Sequence, residues 1–110
     1  VRLANSAARK KSAHGAKAGE VDLAARSIIE EKGFGNFFIH RTGHGLGLEI
    51  HEEPNIKQGE DFILSNGNVY TIEPGIYIPD LGGIRIEDDV LITSSGCRSL
   101  TTLPRDLIYV

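Results

Sequence analysis

With 110 residues, of which 40% are hydrophobic and 25% charged, the chain has the composition of a globular protein and the length of one small domain. A net charge of -3 at pH 7 excludes a broad basic nucleic-acid surface, and no apolar run approaches the roughly 20 residues that cross a membrane. The single cysteine, Cys97, cannot form an internal disulfide, which favours a cytoplasmic location.

Two helices are predicted at the start of the chain. Apolar residues recur on one helical face over residues 1–12, and basic residues crowd the end of this segment, where cations interact favourably with the helix dipole. A second helix is predicted from about Ala18 to Lys32, because Val21, Ala25 and other apolar residues follow a period of 3.6. Gly33 is typical of the position after a helix C-terminus.

The second part of the chain has a sequence pattern typical of β-structure. Turn signals rich in Gly, Asn, Ser and Pro separate short runs of β-branched and aromatic residues. The predicted strands cover residues 62–64, 69–73, 76–78, 84–87 and 89–93. Helices followed by a run of strands predict an α+β fold with an antiparallel sheet.

Three of the four histidines lie within the segment His40–Pro54, interspersed with three glycines. A single histidine is as easily a hydrogen-bonded structural residue, but His40, His44 and His51 together indicate a functional site. The glycines argue against a helix, so we expect a loop or an irregular strand. Glycines on both sides of His44 would let a bulky partner approach its ring closely.

Two glutamates are predicted to face each other on a β-hairpin. If the strands flanking the turn Pro79–Gly83 pair, Glu73 lies opposite Glu87. Opposed carboxylates repel, so a metal ion or a basic side chain is needed between them. Arg85 lies on the same strand face as Glu87 and is one such group. The alternative is that both glutamates face solvent without a partner.

One imidazole and two carboxylates form a donor set for a divalent metal ion. His44, Glu73 and Glu87 are the candidate ligands, and carboxylate-rich sets favour ions such as Mn, Fe or Co. His40 and His51 then remain for acid–base chemistry or substrate contacts, since imidazole exchanges protons near neutral pH.

The motifs in this part of the sequence resemble those of a known family. They read His-x-x-x-His-Gly-x-Gly-Leu-x-x-His-Glu-x-Pro, Thr-Ile-Glu-Pro-Gly-Ile-Tyr and Gly-Gly-Ile-Arg-Ile-Glu-Asp-Asp. In order and spacing they are similar to the C-terminal half of the "pita-bread" metallopeptidases, over roughly residues 15 to 93. These enzymes comprise Xaa-Pro dipeptidases (prolidases), Xaa-Pro aminopeptidases and methionine aminopeptidases. The residues within these motifs are most similar to those of the Xaa-Pro dipeptidase branch.

The resemblance implies a fold and a set of roles. The fold is the C-terminal half of a pita-bread domain, with two N-terminal helices and then a curved antiparallel sheet. His44, Glu73 and Glu87 bind a pair of divalent ions, Mn or Co, with Glu87 bridging them. Glu73 also acts catalytically by taking a proton from the attacking water.

The remaining family residues act on the substrate side. His40 and His51 are implied to be catalytic and to bind the substrate, and Arg85 supports the site. The implied reaction is two-metal hydrolysis of Xaa-Pro bonds in short proline-containing peptides.

The sequence departs from the family by lacking two aspartate ligands. The family places them in an Asp-x-Gly … Asp pattern, and neither Asp22 nor Asp61 begins one, whereas Asp80 lies in the predicted hairpin turn. The chain starts at Val1 and contains no methionine, which is compatible with a piece of a longer protein. We therefore expect residues 1–110 to be a single partial domain that binds metal weakly or not at all and is inactive alone.

Two other functions are compatible with the same residues. The first is another hydrolase on this fold, such as a creatinase-like amidinohydrolase, since motifs at the metals do not define the substrate. The second is a non-catalytic half-domain that self-associates as a homodimer, because sheet surface left uncovered tends to pair. Neither nucleic acid nor a membrane is expected as a partner.

Overall fold

The computed structural model describes all residues from 1 to 110. Two helices, α1 (Arg2–Lys11) and α2 (Ala18–Glu31), precede a single 3₁₀ turn and seven strands. The strands are β1 (Gly43–Gly45), β2 (Glu52–Ile56), β3 (Val69–Ile72), β4 (Gly75–Ile78), β5 (Gly82–Arg85), β6 (Asp88–Thr93) and β7 (Gly96–Ser99). Neither α1 nor α2 has the length and apolarity that crossing a membrane requires.

The strands form two antiparallel sheets. Five of them pair in the order β2–β1–β3–β6–β7, and β4 and β5 form a separate hairpin. Helices at the start of the chain followed by antiparallel strands confirm the predicted α+β class, and the helix bounds agree with the predicted ones to within about two residues.

The hairpin β4–β5 continues the pairing register of β3 with β6, and a short break without strand pairing separates the two ladders. The β3–β6 ladder ends with Ile72 opposite Asp88, and the β4–β5 ladder continues the same register beyond the break. Pairing of β4 with β5 confirms the predicted hairpin. Glu73 and Glu87 occupy the break and therefore lie at opposite positions of the two chain segments.

The core lies between the helices and one face of the larger sheet. Strand β6 alternates buried and partly exposed residues, as expected for a strand with one covered face. Small alanine side chains let α1 and α2 approach each other closely, while α1 packs onto β3 and α2 onto β2. The buried apolar residues are Ala4, Ala8, Ala18, Val21, Ala25, Ile29, Phe38, Ile56, Leu64, Tyr70, Ile72, Val90 and Ile92.

Part of the strand prediction is wrong. Residues 62–64 form no strand; Ile63 makes an isolated bridge with Lys17 at the start of α2. Strands β2 and β7 were not predicted, and the segment that contains β1 was expected to be a loop or an irregular strand. The sequence of β1 is Gly-His-Gly, and β2 contains Pro54, so neither has the composition typical of strands. Their pairing is determined by neighbours distant in sequence.

Candidate metal centre

The short strand β1 places His44 between β2 and β3. A β-carbon at Gly43 would collide with the backbone carbonyl oxygen of Thr71, and one at Gly45 with the carbonyl oxygen of Glu53. Glycine is therefore required for the close approach of the strands. This differs from the sequence-based interpretation, in which the glycines gave a partner access to the imidazole. A register shift after His44 makes β1 the irregular strand that was expected.

The imidazole of His44 is nearly buried and held in one orientation. Its backbone N–H donates to Thr71 Oγ1 at 3.0 Å, and its Nδ1 lies 3.0 Å from the carbonyl oxygen of Gly45. Because a carbonyl only accepts, Nδ1 carries a proton, and in a neutral imidazole the lone pair is then on Nε2. Nε2 lies 3.8 Å from Glu73 Oε1, a position from which both atoms could bind a shared cation.

The two predicted carboxylate ligands are neighbours. Burial and the adjacent negative charge and hydrogen bond of Glu73 raise the pKa of Glu87 above its usual value. Arg85 Nε lies 3.9 Å from Glu87 Oε2 and offsets this repulsion in part. Arg85 is the basic group that the sequence offered for this role, but its guanidinium is half exposed, so the carboxylate pair still favours an additional positive charge.

The three donors meet in pairs but do not close into a metal site. His44 approaches Glu73, and Glu73 approaches Glu87, but no three His, Cys, Asp or Glu side chains of the chain are arranged to hold an ion. The donor types fit a divalent cation, and the arrangement provides only part of a coordination sphere.

His51 lies at the solvent-facing side of His44. The two rings are in edge contact, with centroids 4.4 Å apart, and His51 is exposed. This places an accessible imidazole beside the candidate ligand, as a substrate-contacting role requires.

His40 and Arg85 are linked through Tyr77. The Nδ1 of His40 lies 2.7 Å from the carbonyl oxygen of Arg41 and its Nε2 lies 2.8 Å from the Tyr77 hydroxyl oxygen, so in a neutral imidazole Nδ1 donates to the carbonyl and Nε2 accepts from the phenol. A hydrogen bond with the same tyrosine raises the pKa of Arg85. Two residues predicted to act on the substrate side thus share one phenol group.

The sequence analysis missed Tyr77, although two glycines indicate its position. A β-carbon at Gly83 would lie 2.5 Å from Cδ1 of the tyrosine ring, and one at Gly75 would lie 2.7 Å from its hydroxyl oxygen. Glycines at these positions of β4 and β5 therefore leave room for the ring. A tyrosine in a hairpin with such glycines is a signal that sequence reasoning could have used.

Helix α2 positions the segment that carries His40. Asp22 is completely buried and accepts two hydrogen bonds from Arg26, at 2.8 and 2.9 Å, and two from the backbone and hydroxyl of Thr42. Arg26 also donates to the carbonyl oxygens of Phe38 and His40, at 3.2 and 3.0 Å. The hydrogen bonds that Arg26 donates to Asp22 raise the pKa of the guanidinium.

This support continues to the glutamate. The Thr42 carbonyl oxygen accepts the Glu73 backbone N–H at 2.7 Å. A buried ion pair on one helix therefore fixes both the His40 segment and the backbone of a candidate ligand.

The α+β fold, with a histidine beside paired glutamates at a break in its sheet, is that of the pita-bread class of domains. The chain belongs to metallopeptidase family M24, whose model matches residues 1–94. This confirms the family and the fold that the motifs indicated.

Named relatives agree with this assignment. The chain is 54% identical over 105 residues to the Xaa-Pro dipeptidase of Pyrococcus furiosus, covering 92% of this chain. It superposes on the prolidase from Pyrococcus horikoshii OT3 with a TM-score of 0.93 at 50% identity over 96% of the chain. For the X-Pro aminopeptidase of Thermotoga maritima MSB8 the TM-score is 0.90 at 48% identity over 94% of the chain.

The shared region is a limited part of these relatives. The chain spans 30% of the Pyrococcus furiosus dipeptidase, 30% of the Pyrococcus horikoshii prolidase and 29% of the Thermotoga maritima aminopeptidase.

Proposed function

We propose that residues 1–110 form a single partial domain, the C-terminal portion of a metallopeptidase catalytic domain. The high similarity over nearly the whole chain supports this, together with coverage of 30% of the relatives' length. The lack of an Asp-x-Gly … Asp pattern supports it as well, since the family that these motifs resemble takes two aspartate metal ligands from that pattern.

Within this domain His44, Glu73 and Glu87 would hold part of a centre for two divalent ions. Such ions, when bound, supply Lewis acidity and lower the pKa of water. The mixture of imidazole and carboxylate donors favours Mn or Co. The observation that carries the proposal is the position of His44 Nε2, which lies 3.8 Å from Glu73 Oε1 and beside a second carboxylate.

The proposed activity of the complete protein is hydrolysis of Xaa-Pro bonds in short proline-containing peptides. Glu73 would accept the proton of the attacking water, while His40 and His51 contact the substrate. Arg85 would support the site through Tyr77. Similarity to both dipeptidases and an aminopeptidase leaves the length of the peptide open.

Metal binding by this chain is tested by calorimetry with Mn²⁺ or Co²⁺. We expect weak binding by the wild type and its loss in His44→Ala. His14→Ala is the matched control, because His14 is exposed and bonds to the Asn66 backbone outside the proposed centre. Equal, negligible heats in all three proteins would show that this chain does not bind metal by itself.

The activity is tested on a protein that contains this chain together with the two aspartate ligands. We expect Mn-dependent cleavage of Gly-Pro and no turnover of creatine. Turnover of creatine alone would favour the creatinase-like alternative, and failure to cleave any Xaa-Pro substrate with any divalent ion would overturn the proposed activity.

Self-association of the isolated chain is a second proposal. Leu48 and Ile50, on the loop between β1 and β2, are strongly exposed, and exposed apolar surface favours association. A homodimer formed through this loop would bury its apolar side chains and would have no catalytic role.

The cytoplasmic location and the lack of nucleic-acid or membrane partners remain predictions. They are based on the single cysteine, the net charge and the lack of a long apolar run.

A further inference from the structure

Asn5 is a completely buried polar side chain on α1. Its amide nitrogen donates to the carbonyl oxygens of Ile72 and Ile86, each at 3.3 Å, and to Asp88 Oδ2 at 2.9 Å. The two amide hydrogens are thus shared among three acceptors that come from two different chain segments.

The two carbonyl groups directly precede the candidate metal ligands. Ile72 is followed by Glu73, and Ile86 is followed by Glu87. At this point the β3–β6 ladder ends, and across the break the Ile86 N–H reaches the Pro74 carbonyl oxygen at the long distance of 3.4 Å. The amide of Asn5 therefore bridges the two segments where the ladder between them is interrupted.

The orientation of the amide is fixed from both sides. Arg9, one turn later on α1, donates from Nε to Asn5 Oδ1 at 2.8 Å, which identifies the other end of the amide as the NH₂ group. Asp88 is held in place by Thr101 Oγ1 at 2.5 Å and by Arg105 Nε at 2.8 Å. The acceptor nearest to Asn5 is therefore itself anchored.

We propose that Asn5 is a positioning residue that sets the separation of Glu73 and Glu87, and through it the metal affinity of the site. This inference rests on the proposed metal binding. Supporting hydrogen bonds of this kind commonly change metal affinity by 10- to 100-fold. Asn5 does not approach the ion itself; it acts through the backbone of the two strands.

The test compares Asn5→Leu, which keeps a similar volume and removes both donors, with Ser12→Ala. Ser12 is a suitable control because it is buried at the end of the same helix and its hydroxyl donates to the Ala8 carbonyl oxygen, at 2.9 Å. We expect Asn5→Leu to weaken Mn²⁺ binding by about 10-fold or more. Ser12→Ala should lower the melting temperature while leaving Mn²⁺ affinity within about twofold of wild type.

A metal-free measurement separates this inference from the proposed function. In the wild type, NMR should detect scalar couplings through the hydrogen bonds between the Asn5 side-chain nitrogen and the carbonyl carbons of Ile72 and Ile86. Asn5→Leu should shift the signals of Glu73 and Glu87 more than Ser12→Ala does. These results test the positioning of the two glutamates even if the wild type binds no Mn²⁺, in which case the proposed metal centre and the effect of Asn5 on metal affinity fail together.

Two outcomes would overturn the role of Asn5. One is the lack of couplings to either carbonyl in the wild type. The other is an Asn5→Leu protein with wild-type glutamate signals or wild-type Mn²⁺ affinity. If Asn5→Leu does not fold, Asn5→Gln, which keeps the donors on a longer side chain, should show the same glutamate shifts in smaller measure; unchanged signals there would also contradict the proposal.

Discussion

At the scale of single residues, Gly43 shows how a neighbouring strand can restrict a position to glycine. The carbonyl oxygen of Thr71 occupies the space that a β-carbon at this position would need, and this oxygen belongs to the backbone of the central strand β3. Since the backbone cannot rotate away, β1 and β3 would have to separate, and His44 would move with β1.

We therefore expect Gly43→Ala to lower the free energy of unfolding by about 2 kcal/mol or more, as overpacking of a tight contact does. Urea denaturation measures this change. Gly47→Ala is the matched control, because its new methyl group would meet only the flexible carboxylate end of Glu52. That variant should stay within about 0.5 kcal/mol of wild type. Equal losses in the two proteins would show that the contact with Thr71 is unimportant.

Sequence reasoning could propose candidate site residues but not all of their partners. Recognisable sequence motifs contain three of them, His44, Glu73 and Glu87, and the order and spacing of those motifs can be read from the sequence alone. The contact of His40 with Tyr77 joins residues 37 positions apart, and nothing local in the sequence indicates it. The same holds for Asn5, whose acceptors lie 67 to 83 positions away.

At the scale of elements, α2 holds the histidine segment through the Asp22–Arg26 pair. The carboxylate is completely buried, and the guanidinium is 15% exposed and stacks 4.1 Å from the Phe38 ring centroid. Buried pairs of this kind are costly to break by removing one partner, since the other remains charged without a counter-charge.

A double-mutant cycle on Asp22→Ala and Arg26→Ala should give a coupling free energy of about 2 kcal/mol in chemical denaturation. The exposed pair Arg2–Asp106, with atoms 3.3 Å apart, is the comparison, and its coupling should lie within experimental error. Arg26→Lys should not rescue the wild-type stability, because lysine lacks the planar fork that bonds Asp22 and two carbonyl groups at once. Full rescue by lysine would reduce the role of this residue to its charge.

The helices and the hairpin could be predicted because their signals are local. Apolar periodicity defines α1 and α2, and the turn after β4 fixes the register of β4 with β5. Strand β1 has no such signal, since Gly-His-Gly favours no strand by itself. It forms because β2 and β3 provide hydrogen-bond partners on both sides, which is a property of the assembled sheet.

At the scale of the whole molecule, Asp88 connects the N-terminal helix, the sheet and the C-terminal segment. It is 2% exposed and accepts hydrogen bonds from Asn5 on α1 and from Thr101 and Arg105 near the C-terminus. Burial alone would raise the pKa of Asp88, but the hydrogen bonds from Arg105, Thr101 and Asn5 outweigh it and lower this pKa below the ordinary 3.8.

A depressed pKa means that ionised Asp88 stabilises the fold above pH 3.8, and that this stabilisation is lost as the pH falls below that value. Asp88→Asn should therefore be less stable than wild type by about 2 kcal/mol at neutral pH, with a difference that shrinks in acid. Asp89→Asn should behave oppositely, because burial raises the pKa of Asp89 and makes its ionised form unfavourable at neutral pH. Urea denaturation from about pH 7 to about pH 3 measures both, and a pH-independent difference for Asp88→Asn would contradict the assignment.

The exposed apolar loop between β1 and β2 leads us to expect that the isolated chain self-associates in solution. Leu48 and Ile50 are 106% and 76% exposed, next to the exposed imidazole of His51, so water contacts apolar surface where a peptidase site is proposed. We expect the sedimentation coefficient to rise with concentration up to tens of micromolar, because association removes this surface from water. Replacing both residues with lysine should give a monomer, whereas Leu23→Lys, on an exposed face of α2, should associate like wild type. A wild-type chain that stays monomeric, or a Leu23→Lys variant that loses association as fully as the loop variant, would exclude this loop as the contact surface.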